Sequence, residues 1–215
     1  MERVGSMQPI LFTGFEPFDG ESVNASWEAV RALPDEIADH PLRRLLLPVE
    51  FGRSGDLAVE AMRQLRPACV IAVGEAAGRA EVTLERVALN VECARIPDNA
   101  GAEPQEQPVI AGGPDAYQTC LPLQACAEAA RAAGVPTAIS NTAGLYVCNQ
   151  LMYRILHEVA RAAAAIPAGF VHVPLTPAQA VAKLAMPSME SVTAARALKA
   201  IAAQACSTCE PFAEC

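Results

Sequence analysis

The chain has 215 residues and a formal net charge of -8, enough length for one sizeable α/β domain with a full core. Its residues are 52% hydrophobic but only 5% aromatic, so the core is aliphatic, and no long basic run offers a surface to nucleic acid. No stretch approaches the roughly 20 continuous apolar residues of a membrane span, and no charged-then-apolar signal segment opens the chain. These features give the expectation of a cytoplasmic protein.

Residues 1–7 are polar and unpatterned, and are expected to be flexible or cloning-derived. A strand is predicted at Pro9–Thr13, then a helix over Ser26–Leu33 that stops at Pro34. Strand Arg43–Leu47, helix Ser54–Leu65 and strand Ala68–Val73 follow, and Arg86–Val91 reads as a further strand. The rhythm breaks from Ile96 to Tyr117, where Pro97, Pro104, Pro108, Gly112-Gly113 and Pro114 leave little periodicity. Loops of that length in a compact domain are functional or disordered, so a lid, a subunit contact and a mobile excursion are all open. Helix Leu121–Ala133, strand Thr137–Ser140, helix Asn149–Ala165, strand Gly169–Val173 and helix Ser191–Ala205 complete the chain, with 206–215 as a tail. Short apolar runs alternating with helical patterns specify a single three-layer α/β/α domain with a mainly parallel, mixed sheet, spanning 1–215.

Eight cysteines, at 69, 93, 120, 126, 148, 206, 209 and 215, show no regular disulfide spacing. Without a signal segment they are expected to be reduced. Cys206-Ser207-Thr208-Cys209 has CxxC spacing, but no second pair or histidine accompanies it, so a metal role is not expected. Cys148 is different. Ser140–Asn149 reads as a short strand, a small-residue turn, and a cysteine at the mouth of a long helix. Unpaired N–H groups and the helix dipole favour an anion there, which would stabilise a nucleophilic thiolate.

Cysteine catalysis needs a base and a group that orients it. Of the three histidines, His40 precedes Pro41 in a polar loop and reads as solvated. His157 lies nine residues after Cys148 on one helix, about half a rotation away, and reads as a surface or packing residue. His172 ends the apolar run Gly169–Val173. A helix of some 17 residues carries the chain about 25 Å away from Cys148, and the next strand returns at about 3.3 Å per residue. His172 therefore comes back beside Cys148, at the sheet edge where ligands bind. The acid stays open among Glu75, Glu81, Glu85, Glu92 and Asp98.

Five blocks in order, LFTGFEPFDGESVNASWEAV, GEAAGRAEVTLERVALNVECARIPDN, GGPDAYQTCLP, SNTAGLYVCNQLMYRILH and GFVHVPLTPAQ, resemble the type I pyroglutamyl peptidases, from Ile10 to about Gln179. The resemblance implies a nucleoside-phosphorylase-like arrangement, often tetrameric, and a cysteine exopeptidase that removes N-terminal pyroglutamate from peptides without metal or cofactor. It implies Cys148 as nucleophile, His172 as base and Glu85 as orienting acid, with Arg95 near the site. Phe15 and Phe18 would sandwich the lactam ring. They sit among loop-like residues, where a packing role is less expected. Asn24 would lie near the pocket, and Tyr146 and Val147 would form the wall beside the nucleophile. Glu75 stands where many relatives carry a glutamine that accepts the lactam N–H. A carboxylate accepts that bond but cannot donate as an amide does, which implies altered affinity or pH dependence. The other readings are a silent pyroglutamate-binding homologue and a phosphorylase-like glycosyl transferase; the latter would need phosphate ligands and has no use for a Cys/His/Glu set.

Overall fold

In the computed structural model, which describes residues 7–163 and 166–207, the chain runs β1 (Ile10–Phe15), α1 (Ala25–Arg31), β2 (Glu36–Ile37), β3 (His40–Leu47), α2 (Arg53–Leu65) and β4 (Cys69–Glu75). There follow β5 (Val82–Glu85), β6 (Val87–Leu89), β7 (Ala116–Gln118), α3 (Leu123–Ala132), β8 (Thr137–Ser140) and α4 (Val147–Arg161). The last elements are β9 (Ala168–Val173), α5 (Pro177–Ala180) and α6 (Ser191–Ser207). Seven strands form one sheet in the order β2-β3-β1-β4-β9-β5-β8.

The central strands are apolar on both faces because both faces are covered. Along β4, Cys69, Ile71 and Val73 pack on one side with residues of α1, α3 and α6. Val70 and Ala72 pack on the other with residues of α2 and α4. On β9, Val171 and Val173 face the first layer, Ala168 and Phe170 the second. This period of two puts His172 on the α4 side. β3, β1, β4 and β9 are parallel, whereas β5 runs antiparallel to β9 and parallel to β8. The mixed sheet expected from the sequence is therefore present, with its reversal at β5.

Several boundaries differ from the expectation. The predicted strand Arg86–Val91 is not part of the large sheet: β6 pairs with β7 in a separate two-stranded ribbon, and the sheet strand is β5, just before it. Thr83 and Glu85 are buried, so a period-2 pattern with polar members reads as a loop. His40 is not in a loop but opens β3, its Nδ1 2.7 Å from the carbonyl oxygen of Gln8. Residues 96–117 are tied down rather than free: Asn99 Nδ2 donates to Pro17 O at 3.0 Å, Glu92 bridges Gln107, and the segment runs into β7. Cys206 and Ser207 belong to α6 rather than to a tail, while Cys209, Cys215 and residues 1–6 lie outside the described residues. Among the described residues, no helix is long and apolar enough to cross a membrane.

Candidate active site

His172 pairs in register with Gly74 of β4 on one side and Thr83 of β5 on the other. Glu85 is two residues further along β5, hence on the same face and diagonal to His172. Its Oε1 lies 2.8 Å from His172 Nδ1, both side chains being buried. An ionised carboxylate only accepts, so Nδ1 carries the proton and Nε2 of the neutral ring is left as a base.

Cys148 reaches the same face from above. α4 begins at Val147, two residues earlier than predicted, which places Cys148 in its first turn. Tyr146 at the N-cap makes no side-chain capping bond. Asn149 holds that turn down: its Nδ2 donates to Leu89 O at 2.9 Å and Val91 O at 2.8 Å, and its Oδ1 accepts from Leu89 N. Beneath the thiol is Gly74, where a Cβ would stand 3.0 Å from Cys148 Sγ and 2.7 Å from Phe170 Cζ. A glycine inside a strand marks such a close approach.

The electrostatics differ from the expected stabilised thiolate. Burial, reinforced by the Glu75 and Glu85 carboxylates, pushes the Cys148 thiol up to about 12, against a smaller opposing pull from Arg79. Helix position alone does not outweigh burial together with two nearby carboxylates. Burial also lowers His172 below its ordinary value despite Glu85. Burial would by itself raise Glu85, but the hydrogen bond and charge of His172, with Arg79 beside them, hold it below the usual carboxylate range. The resting site is a neutral thiol beside a neutral imidazole backed by a carboxylate.

A cavity of about 450 Å³ opens over these groups, lined by Phe15, Phe18, Asn24, Glu75, Arg95, Tyr146, Val147, Cys148 and His172 together with small residues of adjoining loops. Every predicted site residue lines it except Glu85, which lies behind His172. Phe15 is not in a loop, however. It closes β1, is buried, and belongs to the core as well as to the cavity wall. Phe18 and Tyr146 rings lie 6.4 Å apart, and Phe51 meets Tyr146 edge-on at 5.1 Å. Asn24 is committed to the fold: its Oδ1 caps α1 through Ser26 N and its Nδ2 donates to Glu16 O.

Glu75 ends β4, and its Oε2 accepts from Ala25 N at 2.8 Å and Gln179 Nε2 at 3.0 Å. Gln179 is fixed in turn by a capping box with Thr176. Burial raises Glu75 despite these bonds. The other acids left open by the sequence are elsewhere. Asp98 accepts backbone N–H groups of Phe51, Ala100 and Ala102, Glu92 pairs with Gln107, and Glu81 is exposed. His157 bonds Tyr117 on the flank of α4. Asn149, Gly74, Phe51 and Arg79 were not picked out from sequence; of these only Gly74, a glycine in an apolar run, carried a signal. No group of three or more His, Cys, Asp or Glu that could hold a metal occurs among the described residues.

A thiol at a helix mouth, a neutral imidazole and its buried carboxylate, on an α/β sheet, form the constellation of a thiol hydrolase. Residues 8–208 match the family model described as pyroglutamyl peptidase. The pyrrolidone-carboxylate peptidase of Cupriavidus taiwanensis is 49% identical over 185 residues, 85% of this chain and 86% of that one. That of Thermococcus onnurineus is 49% identical over 180 residues, covering 84% and 90%. The crystal structure of Bacillus amyloliquefaciens pyroglutamyl peptidase I superposes with a TM-score of 0.88 at 41% identity, covering 93% of this chain and 97% of that one. The chain belongs to the pyroglutamyl peptidase family.

Proposed function

We propose that the whole chain is one cysteine exopeptidase domain that removes N-terminal pyroglutamate from peptides and proteins. The observation that carries this reading is the 2.8 Å contact of Glu85 with His172 behind the cavity that Cys148 also lines. Family membership supports the substrate. In this mechanism His172 Nε2 takes the Cys148 proton as Sγ bonds to the carbonyl carbon joining pyroglutamate to the next residue. The oxyanion is met by N–H groups at the start of α4; one such donor is typically worth about 2.7–4 kcal/mol of barrier. The imidazolium, stabilised by Glu85, gives its proton to the leaving amine as the C–N bond breaks. Water then loses a proton to His172, attacks the thioester, and releases pyroglutamate and the thiol.

The cavity walls fit a small flat lactam. Phe15 and Phe18 supply apolar faces, Tyr146 and Val147 the wall beside the nucleophile, and Arg95 an exposed cation among the lining residues. Self-association into a dimer or tetramer is part of the reading, supported by the exposed Val181, Leu184, Met186 and Val192. So is a reducing, cytoplasmic setting, which keeps a nucleophilic thiol intact. Fluorophore release from a pyroglutamyl amide tests the activity: wild type should release it and Cys148→Ser should not. No release by wild type, or equal release by both, sinks the reading.

A further inference from the structure

Arg79 lies outside the roles described above. It follows Gly78 in the turn from β4 to β5, a turn that needs the positive φ of Gly78 (85°) and closes with Arg79 N donating to Ala76 O at 3.3 Å. The turn directs the guanidinium behind the site. Arg79 Nη1 donates to Glu85 Oε1 at 2.6 Å and to Thr83 Oγ1, and Nη2 donates to Thr142 O at 3.4 Å. Glu85 Oε1 thus receives two donors, Arg79 Nη1 and His172 Nδ1. Thr142 belongs to the turn that leads into α4 and Cys148, where Gly144 N donates to Thr142 Oγ1 and Ser140 Oγ to Thr142 O. One planar side chain with several fixed donors therefore spans the acid, its neighbour on β5 and the approach to the nucleophile.

We propose that Arg79 is a positioning residue of the site: its guanidinium fixes the Glu85 carboxylate against His172 and keeps the imidazole available as a base for Cys148. The inference rests on the peptidase reading for the meaning of that base, but not for its geometry. Two physical effects follow from the shared oxygen. A permanent cation on Oε1 leaves less of the carboxylate's charge to hold a second proton on His172. The same cation favours the Cys148 thiolate, against Glu75 and Glu85. The ionisable groups around His172 are Glu85 on β5, Arg79 in the turn, Cys148 on α4 and Glu75 at the end of β4. Only Arg79 among them is positively charged at every accessible pH.

The test uses full-length Arg79→Gln and Arg79→Lys in two assays: the pH dependence of kcat/KM on a pyroglutamyl amide, and iodoacetamide alkylation of Cys148 located by mass spectrometry. For Arg79→Gln, kcat at pH 7 should fall roughly tenfold or more with KM nearly unchanged. The acid limb should move to higher pH, and alkylation at pH 7 should slow. Arg79→Lys should recover only part of each, since one ammonium cannot span Glu85, Thr83 and Thr142. If Arg79→Gln does not fold, the intermediate shift in Arg79→Lys carries the test. An unchanged acid limb and alkylation rate overturn the proposal, even where the melting temperature drops. If wild type releases no fluorophore, the peptidase reading fails, and the alkylation arm alone decides the role of Arg79.

Discussion

Gly74 and Cys148 are in contact range across two layers of the fold: a Cβ on the strand residue would stand 3.0 Å from the sulfur of the helix residue. Phe170 Cζ would be closer still, at 2.7 Å. Neither neighbour is a flexible side-chain end at the surface. In Gly74→Ala the methyl must displace Phe170 in the core or push Cys148 away from the sheet. Overpacking of this kind costs about 1–3 kcal/mol. The variant should melt lower and lose kcat by more than it changes KM. Wild-type kcat in a fully folded Gly74→Ala protein would show that the sulfur's seat on the sheet is not needed.

The charge state of the resting pair sets a second expectation. With the thiol pushed up to about 12 and His172 held below its ordinary value, the active form is neutral thiol with neutral imidazole. On acidification the imidazole gains a proton and cannot accept the thiol's, so the acid limb of kcat/KM falls below pH 6.5. No basic limb should appear until well above pH 9. A profile measured from pH 5 to 10 distinguishes this from a preformed thiolate–imidazolium pair, which loses activity as the imidazolium deprotonates. A fall centred between pH 8 and 9 would exclude the neutral pair.

Much of this candidate site is legible in the sequence, for reasons that particular residues make clear. Cys148 and His172 sit at ends of strongly periodic elements, so chain direction and rise per residue were enough to bring them to one edge. Glu85 could not be chosen that way. It lies on β5, whose Thr83 and Glu85 are buried polar residues that disguise a strand, and only the matching sequence blocks singled it out. α4 starts two residues before the position local sequence indicates, and Asn149, which anchors that start, bonds to β6 some 60 residues earlier. The thiol's charge state escapes the local sequence for a similar reason. Burial by the surrounding fold does most to disfavour the thiolate, and the two carboxylates that add to it arrive from β4 and β5; local sequence around Cys148 contains none of these.

Glu75 is a lining residue whose chemistry is open to a single-atom exchange. Its Oε2 takes both structural bonds, from Ala25 N and Gln179 Nε2. In Glu75→Gln the amide oxygen can keep both, leaving an NH₂ in place of Oε1 and turning an acceptor into a donor. Removing the charge also relieves the Cys148 thiolate, so alkylation at pH 8 should speed up and KM for the pyroglutamyl amide should change. The stability sign can be stated as well. Burial raises the folded-state value of Glu75, so between the unfolded value and that raised value the native state binds more protons. Wild-type stability therefore falls as pH rises through this window. Glu75→Gln removes that loss and should gain stability over wild type at pH 7 relative to pH 4. Identical kinetics and parallel melting curves would leave Glu75 without a distinct role.

Glu158 gives the opposite sign, away from the cavity. It is a buried carboxylate on α4 that Arg63 of α2 grips through two contacts, at 2.8 and 2.9 Å, while Arg161 adds 3.0 and 3.2 Å. The hydrogen bonds from Arg63 and Arg161 outweigh burial and lower Glu158 to about 2. Its contribution to stability is thus complete above the unfolded value near 4.5 and is lost as pH falls through about 2. Both arginines are more than half exposed, so solvent screening keeps the contribution small. Glu158→Gln should lower the melting temperature at pH 7, the gap from wild type closing as pH approaches 2. Because the cluster ties α2 to α4 without lining the cavity, kcat and KM at pH 7 should stay at wild-type values. A loss of kcat without a loss of stability would mean that the packing of α4 is transmitted to Cys148.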